Sequence, residues 1–143
     1  MVSRTSRPDL PPDPIRDRLK EVRLGLLRLH KSLIDSERGE MERRNGAMSN
    51  GQFLQVLIND EAFAWLRPYS ELIVRMDEVF ATREPIPEPD MREYVREVVA
   101  LIAVPEAEPE SRRYEVVRRR DAAVGAAHVE LTRRIAAFPA AGA

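Results

Sequence analysis

The chain has 143 residues, of which 33% are charged, 43% hydrophobic and 6% aromatic, with no cysteine and a formal net charge of −1. That length suits one globular domain able to bury about two-thirds of its unfolded surface, and the lack of cysteine excludes disulfides and thiolate metal sites. No apolar run approaches the ~18–20 residues of a membrane span, and the start of the chain lacks the apolar stretch of a secretion signal. The expectation is a cytoplasmic, non-membrane protein, of bacterial type by its arginine- and alanine-rich usage.

Near-neutrality hides an uneven distribution, for residues 51–110 are strongly acidic and both ends are basic. Such a pattern suits ends that fold back to flank the middle. It argues against general nucleic-acid binding, which needs a basic excess over the whole domain. Lys20 and Lys31 are the only lysines among the basic residues. Arginine's planar fork suits fixed pairing with carboxylates, although genomic base composition produces the same bias.

Residues 1–13, with Pro8, Pro11 and Pro12 close to Asp9 and Asp13, read as an extended arm. Asp13 followed by Pro14 spells a helix start. From there Ile15, Leu19, Val22, Leu26, Leu29 and Leu33 recur at steps of four and three. A second stripe runs through Leu27, His30, Ile34, Glu37 and Met41, so this helix of about 30 residues, some 45 Å long, needs more than one neighbour. Asn45 to Gly51 break it, and Ser49 with Gln52 forms a capping box for the next helix.

Phe53 to Leu66 is apolar over most of its circumference and should be the most buried segment. Pro68 is expected to kink this second helix, which resumes through Tyr69, Leu72, Ile73, Met76, Val79 and Phe80. A stiff loop over 82–89 leads to Asp90, read with Glu93 as the cap of a short third helix that Pro105 ends. The fourth helix carries Tyr114, Val117, Asp121, Val124, His128, Leu131, Ile135 and Phe138 at strict heptad spacing. The reading is all-α, an up-down antiparallel four-helix bundle over 14–138 with a kinked second helix, a short third helix and a frayed tail at 139–143. Because the third helix is short, part of the surface of its neighbours lacks a fourth partner.

Polar residues at seam positions are the informative anomaly. His30, Glu37, Asp121 and His128 fall on inward stripes, and Glu61 interrupts the apolar run of helix 2, so the five make a candidate ligand or metal cluster. Spacing opposes the familiar versions. No Glu precedes either histidine by three, and two histidines are too few for the histidine-rich sites. The plainer reading is that each polar group finds its own arginine or carbonyl partner. Phe63, Trp65 and Tyr69 around Pro68 are a candidate aromatic pocket, or core filling. Ala122, Ala123, Gly125 and Ala126 permit close approach of another helix, from this chain or from a symmetry mate.

The leading functional expectation is a non-enzymatic protein that acts by protein–protein interaction, as a homodimer or with another protein, with no catalytic residues and no cofactor required. A metal- or small-ligand-binding bundle, with a divalent metal at the five-residue cluster, is the first alternative. A nucleic-acid contact through Arg112, Arg113 and Arg118 to Arg120 is the second, and it lacks both the aromatics and the motif that usually accompany one.

Overall fold

The computed structural model describes residues 13–103 and 109–140, and all of its regular structure is helical. The elements are α1 (Pro14–Asn45), α2 (Asn50–Asn59), a 3-10 turn (Glu61–Leu66), α3 (Arg67–Ala81), α4 (Glu88–Ile102), α5 (Pro109–Arg120) and α6 (Ala122–Ala136). Six helices stand where the sequence predicted four. The expected arm, apart from Asp13, the stop at Pro105 and the end of the tail lie outside the described residues.

The first helix forms as its sequence dictates. Asp13 accepts from the Ile15 and Arg16 amides at 3.1 Å each, satisfying donors that a helix start leaves open. Gly46, at φ +90, receives the chain as it leaves; that conformation favours a residue without a Cβ. Leu19, Val22, Leu26, Leu29 and Leu33 are buried as predicted. The capping box of Ser49 and Gln52 also forms, with both hydrogen bonds present.

Three breaks differ from expectation, and two are made by an aspartate. Rather than running on to a kink at Pro68, the second helix ends at Asn59. Asp60 turns extended and its carboxylate accepts from the Ala62 amide at 2.9 Å, opening the 3-10 turn. A short acidic side chain offers the backbone a partner that competes with the helix ladder. Pro68 sits in the first turn of α3, where a missing N–H is tolerated, so it starts a helix instead of bending one.

Nor is Phe53 to Leu66 uniformly buried: Phe53, Phe63, Trp65 and Leu66 are inside, but Leu54 is 51% and Ile58 54% exposed. Helix α4 begins at Glu88, with Asp90 inside its first turn and Pro87 at the cap position. The predicted fourth helix divides at Asp121, which turns extended and caps α6 by accepting from the Ala123 and Val124 amides at 2.9 and 3.4 Å. The heptad stripe survives because Asp121 N–H still bonds Val117 and Gly125 N–H still bonds Asp121. Tyr114, Val117, Val124 and Leu131 therefore stay buried in one line.

Helix α1 packs most extensively on α6 and also on α3 and α4; α3 packs on α4, and α4 on α5 and α6. The closest approach is at Gly25, where a Cβ would lie 3.0 Å from Leu131 Cδ1 and 3.3 Å from Leu131 Cα. Along its other side α1 meets α3 running the opposite way, with Arg16 donating to the Phe80 carbonyl at 3.0 Å and Arg23 paired with Asp77. His30 and Ile34 lie further along, beside Leu66, Arg67 and Ser70.

Gly25→Val should therefore force α1 and α6 apart and cost about 1–3 kcal/mol. Gly51→Ala, at a helical position with nothing within 4 Å of the added Cβ, should stabilise by up to about 1 kcal/mol. Thermal unfolding of the two variants beside the parent chain checks the opposite signs.

Candidate functional site

The polar interior is organised around Glu37 on α1, whose side chain is 3% exposed. Its carboxylate accepts from Trp65 Nε1 at 3.3 Å, Arg113 Nη2 at 2.9 Å and Arg120 Nη2 at 3.1 Å. Ser36 Oγ accepts from the same Arg120 nitrogen at 3.0 Å. The cations come from α5 and the indole from the 3-10 turn, so one buried carboxylate fastens three elements together. Removal of such a charge from water is tolerated only when hydrogen bonds and counter-charges replace the water.

From this node aromatic contacts run across the core. Trp65 meets Tyr69 edge-on at 6.0 Å, and Tyr69 stacks on Tyr114 at 6.1 Å. The Tyr69 hydroxyl donates to the Leu101 carbonyl at 3.0 Å, while the Tyr114 hydroxyl lies 2.6 Å from His128 Nδ1. Burial pushes both phenols well above their ordinary range, so at neutral pH each is a hydrogen-bond donor. His128 then accepts at Nδ1 and carries its proton on Nε2, a tautomer assigned from the network. Burial, reinforced by the nearby Arg118 cation and opposed by Glu115, holds the His128 imidazole below its usual range. Burial alone lowers His30 in the same direction.

The five-residue cluster expected from sequence is not assembled at one point. Glu37 is enclosed by cations and the indole, and His128 is joined to it only through the aromatic chain. Asp121 spends its carboxylate on the start of α6. Burial opposes its ionisation, but hydrogen bonds from the Ser36 hydroxyl and the two amides outweigh that and hold it below the usual carboxylate range. Glu61 is exposed in the 3-10 turn. His30 lines a separate cleft of about 230 Å³ with Ile34, Leu57, Ile58 and Phe63. Among the described residues no three His, Asp or Glu side chains are placed to hold a metal ion together.

The aromatic trio also separates. Phe63 borders the His30 cleft and meets Phe53 edge-on at 5.9 Å, whereas Trp65 and Tyr69 belong to the core chain. Of the small residues, Ala122, Ala123 and Ala126 are exposed, and Gly125 faces the Arg118 carbonyl across the α5–α6 break, 3.7 Å from where its Cβ would be. Close helix approach occurs at Gly25 instead, which sequence reading passed over. Of the basic cluster, Arg113 and Arg120 reach inward to Glu37, whereas Arg118 and Arg119 pair along their own helix with Glu115 and Arg119 stays on the surface; the Arg112 side chain lies outside the described residues. Ser36 and Tyr114 were missed as site residues, though Tyr114 stands fourteen before His128 on one heptad line. No protein-family model, curated protein or solved structure matches this chain.

Every strong polar group at this node has a partner, so what the arrangement does is fix α5, α1 and the 3-10 turn in register. Glu37→Ala should cost about 2–3 kcal/mol, because the indole and two guanidinium groups lose their common acceptor. Denaturant unfolding followed by Trp65 fluorescence reads both the loss and the altered indole environment.

A second expectation concerns acid. Both histidines bind protons less readily folded than unfolded, so between the depressed value and the ordinary value of about 6.5 the unfolded chain holds more protons. Stability then rises with pH through that window and falls as pH drops below about 6.5. His128→Gln should flatten the dependence of the denaturation midpoint between about pH 5 and 7.

Proposed function

We propose that the chain is a non-enzymatic interaction protein that pairs with a second copy of itself through the open seam between α1 and α3. The reading rests on apolar side chains turned to solvent along that seam. Leu27 is 38% and Val74 53% exposed; on α2 Ile58 lines the His30 cleft and Leu54 is exposed one turn before it. Large apolar side chains exposed on neighbouring elements are the surface that interaction sites use.

Charge favours a second copy as the partner. The outward stripe of α1 carries Lys20, and Lys31 paired with Asp35, beside Leu24 and Leu27, whereas that of α3 carries Glu71 and Glu78 beside Val74. A two-fold axis along the seam sets α1 of one copy over α3 of the other, basic edge against acidic edge. In this reading α1, α3, α4 and α6 form the antiparallel up-down four-helix body of a cytoplasmic protein, with α2 and α5 added at one end.

Light scattering at micromolar concentration should report a dimer. Leu27→Glu combined with Val74→Glu should give a monomer whose thermal stability per site changes by no more than about 0.5 kcal/mol, as both positions are on the surface. A parent chain that stays monomeric under those conditions removes the reading.

A further inference from the structure

Between the end of α3 and the start of α4 lies a groove of about 450 Å³. Val79, Ile86 and Tyr94 give it an apolar floor, and Pro85 and Pro87 stiffen its wall. The rim is acidic, but its carboxylates are not equivalent. Glu97 is held by Arg75 at 2.5 Å and Glu93 by Arg96 at 2.7 Å. The Glu84 and Asp90 carboxylates have no ion pair or hydrogen bond among the described residues, which leaves two uncommitted negative charges over an apolar surface.

Residues 1–12, outside the described structure, carry complementary chemistry in their sequence. Arg4 and Arg7 stand three apart, as do Pro8 and Pro11, with Asp9 and Leu10 between the prolines. The segment joins the fold at Asp13, and three residues on Arg16 bonds the Phe80 carbonyl, next in sequence to Val79 of the groove. Twelve residues span up to about 40 Å when extended, so the groove is within reach of the attachment point.

We propose that this groove is a docking site for a basic, proline-containing peptide and that its occupant is residues 1–12 of this chain. In a polyproline helix residues three apart share a face. A peptide bound in that form presents Arg4 and Arg7 along one edge, toward Glu84 and Asp90, and Pro8 and Pro11 along the next, toward Tyr94 and Ile86. Aromatic and apolar grooves take proline-rich segments in this way because the ligand has little conformational entropy left to lose.

The chain has no cysteine, so Ser3→Cys gives it a single thiol for a nitroxide label. Paramagnetic broadening of NMR signals should then centre on Val79, Ile86 and Tyr94 and spare Val129, exposed on α6. Reversing the segment's charges (Arg4→Glu with Arg7→Glu) or those of the groove (Glu84→Lys with Asp90→Lys) should each lower the docked-to-undocked ratio roughly tenfold, and combining both reversals should restore it. The arginine pair lies outside the described residues and so outside the packed helices α1 to α6, and its reversal remains informative even where the groove variant fails to fold. Mixing nitroxide-bearing chains with isotope-labelled, nitroxide-free chains tells a chain's own groove from that of a second copy, and broadening at the groove in either sample supports the docking. Broadening that is uniform, that centres on another face, or that both reversals leave unchanged overturns it.

Discussion

The constraint on which the rest of the structure depends is the burial of one carboxylate. Glu37 sits where a heptad stripe would otherwise place an aliphatic side chain, and its charge must be met from several directions at once. Arg113 and Arg120 reach it from α5 and the Trp65 indole from the 3-10 turn. Apolar packing is non-directional and tolerates sliding, whereas these hydrogen bonds admit one arrangement. The node thereby positions Trp65, which positions Tyr69, and through Tyr114 the order extends to His128 on α6.

Electrostatics and packing divide the molecule between them. At the far end of α1 the controlling contact is steric, Gly25 against Leu131, with Arg134 folded over it and paired with Glu21. The arginine-rich composition finds a physical use at both ends, because guanidinium groups bridge helices where lysine would make a single contact. Arg75 to Glu97 joins α3 to α4, and Arg92 donates to the Pro139 carbonyl beyond α6 at 2.5 Å. Among the described residues Arg23 to Asp77 is the one ion pair between the acidic middle segment and a basic end; the two ends pair chiefly with each other, through Glu37 and Glu21.

Much of this was legible in the sequence and some was not, for identifiable reasons. The all-helical class, the span of α1, its Asp13 cap and the capping box at Ser49 follow from periodicity and short-range hydrogen bonding, which one sequence contains. Asp60 and Asp121 defeated the same reading. Each stands inside an apolar pattern that runs on regardless, and whether an aspartate faces inward or caps its own backbone depends on a local competition that periodicity does not register. The candidate cluster failed for another reason: inward-facing residues on different helices converge only if height along the axis also agrees. Glu37 and Asp121 come close through Ser36, His30 faces a different seam, and Glu61 does not face inward. The pairing of Glu37 with Arg113 and Arg120 joins residues more than seventy positions apart, and only the fold brings them together.

The contact between α1 and α6 bears on how the chain is made. The apolar seam from Leu19 to Leu33 finds its main partner around Leu131, roughly a hundred residues later. Contacts of such separation carry a large loop-closure cost and form late. During synthesis the first long helix therefore emerges with its apolar stripe uncovered and must wait for the last helix to leave the ribosome, an interval of about 5–20 s at ordinary elongation rates. The charged outer stripes of α1 keep a waiting helix dispersed, and α3 and α4, made in between, cover part of it first. Order of synthesis thus runs opposite to order of importance: the helix that completes the core is the last to arrive.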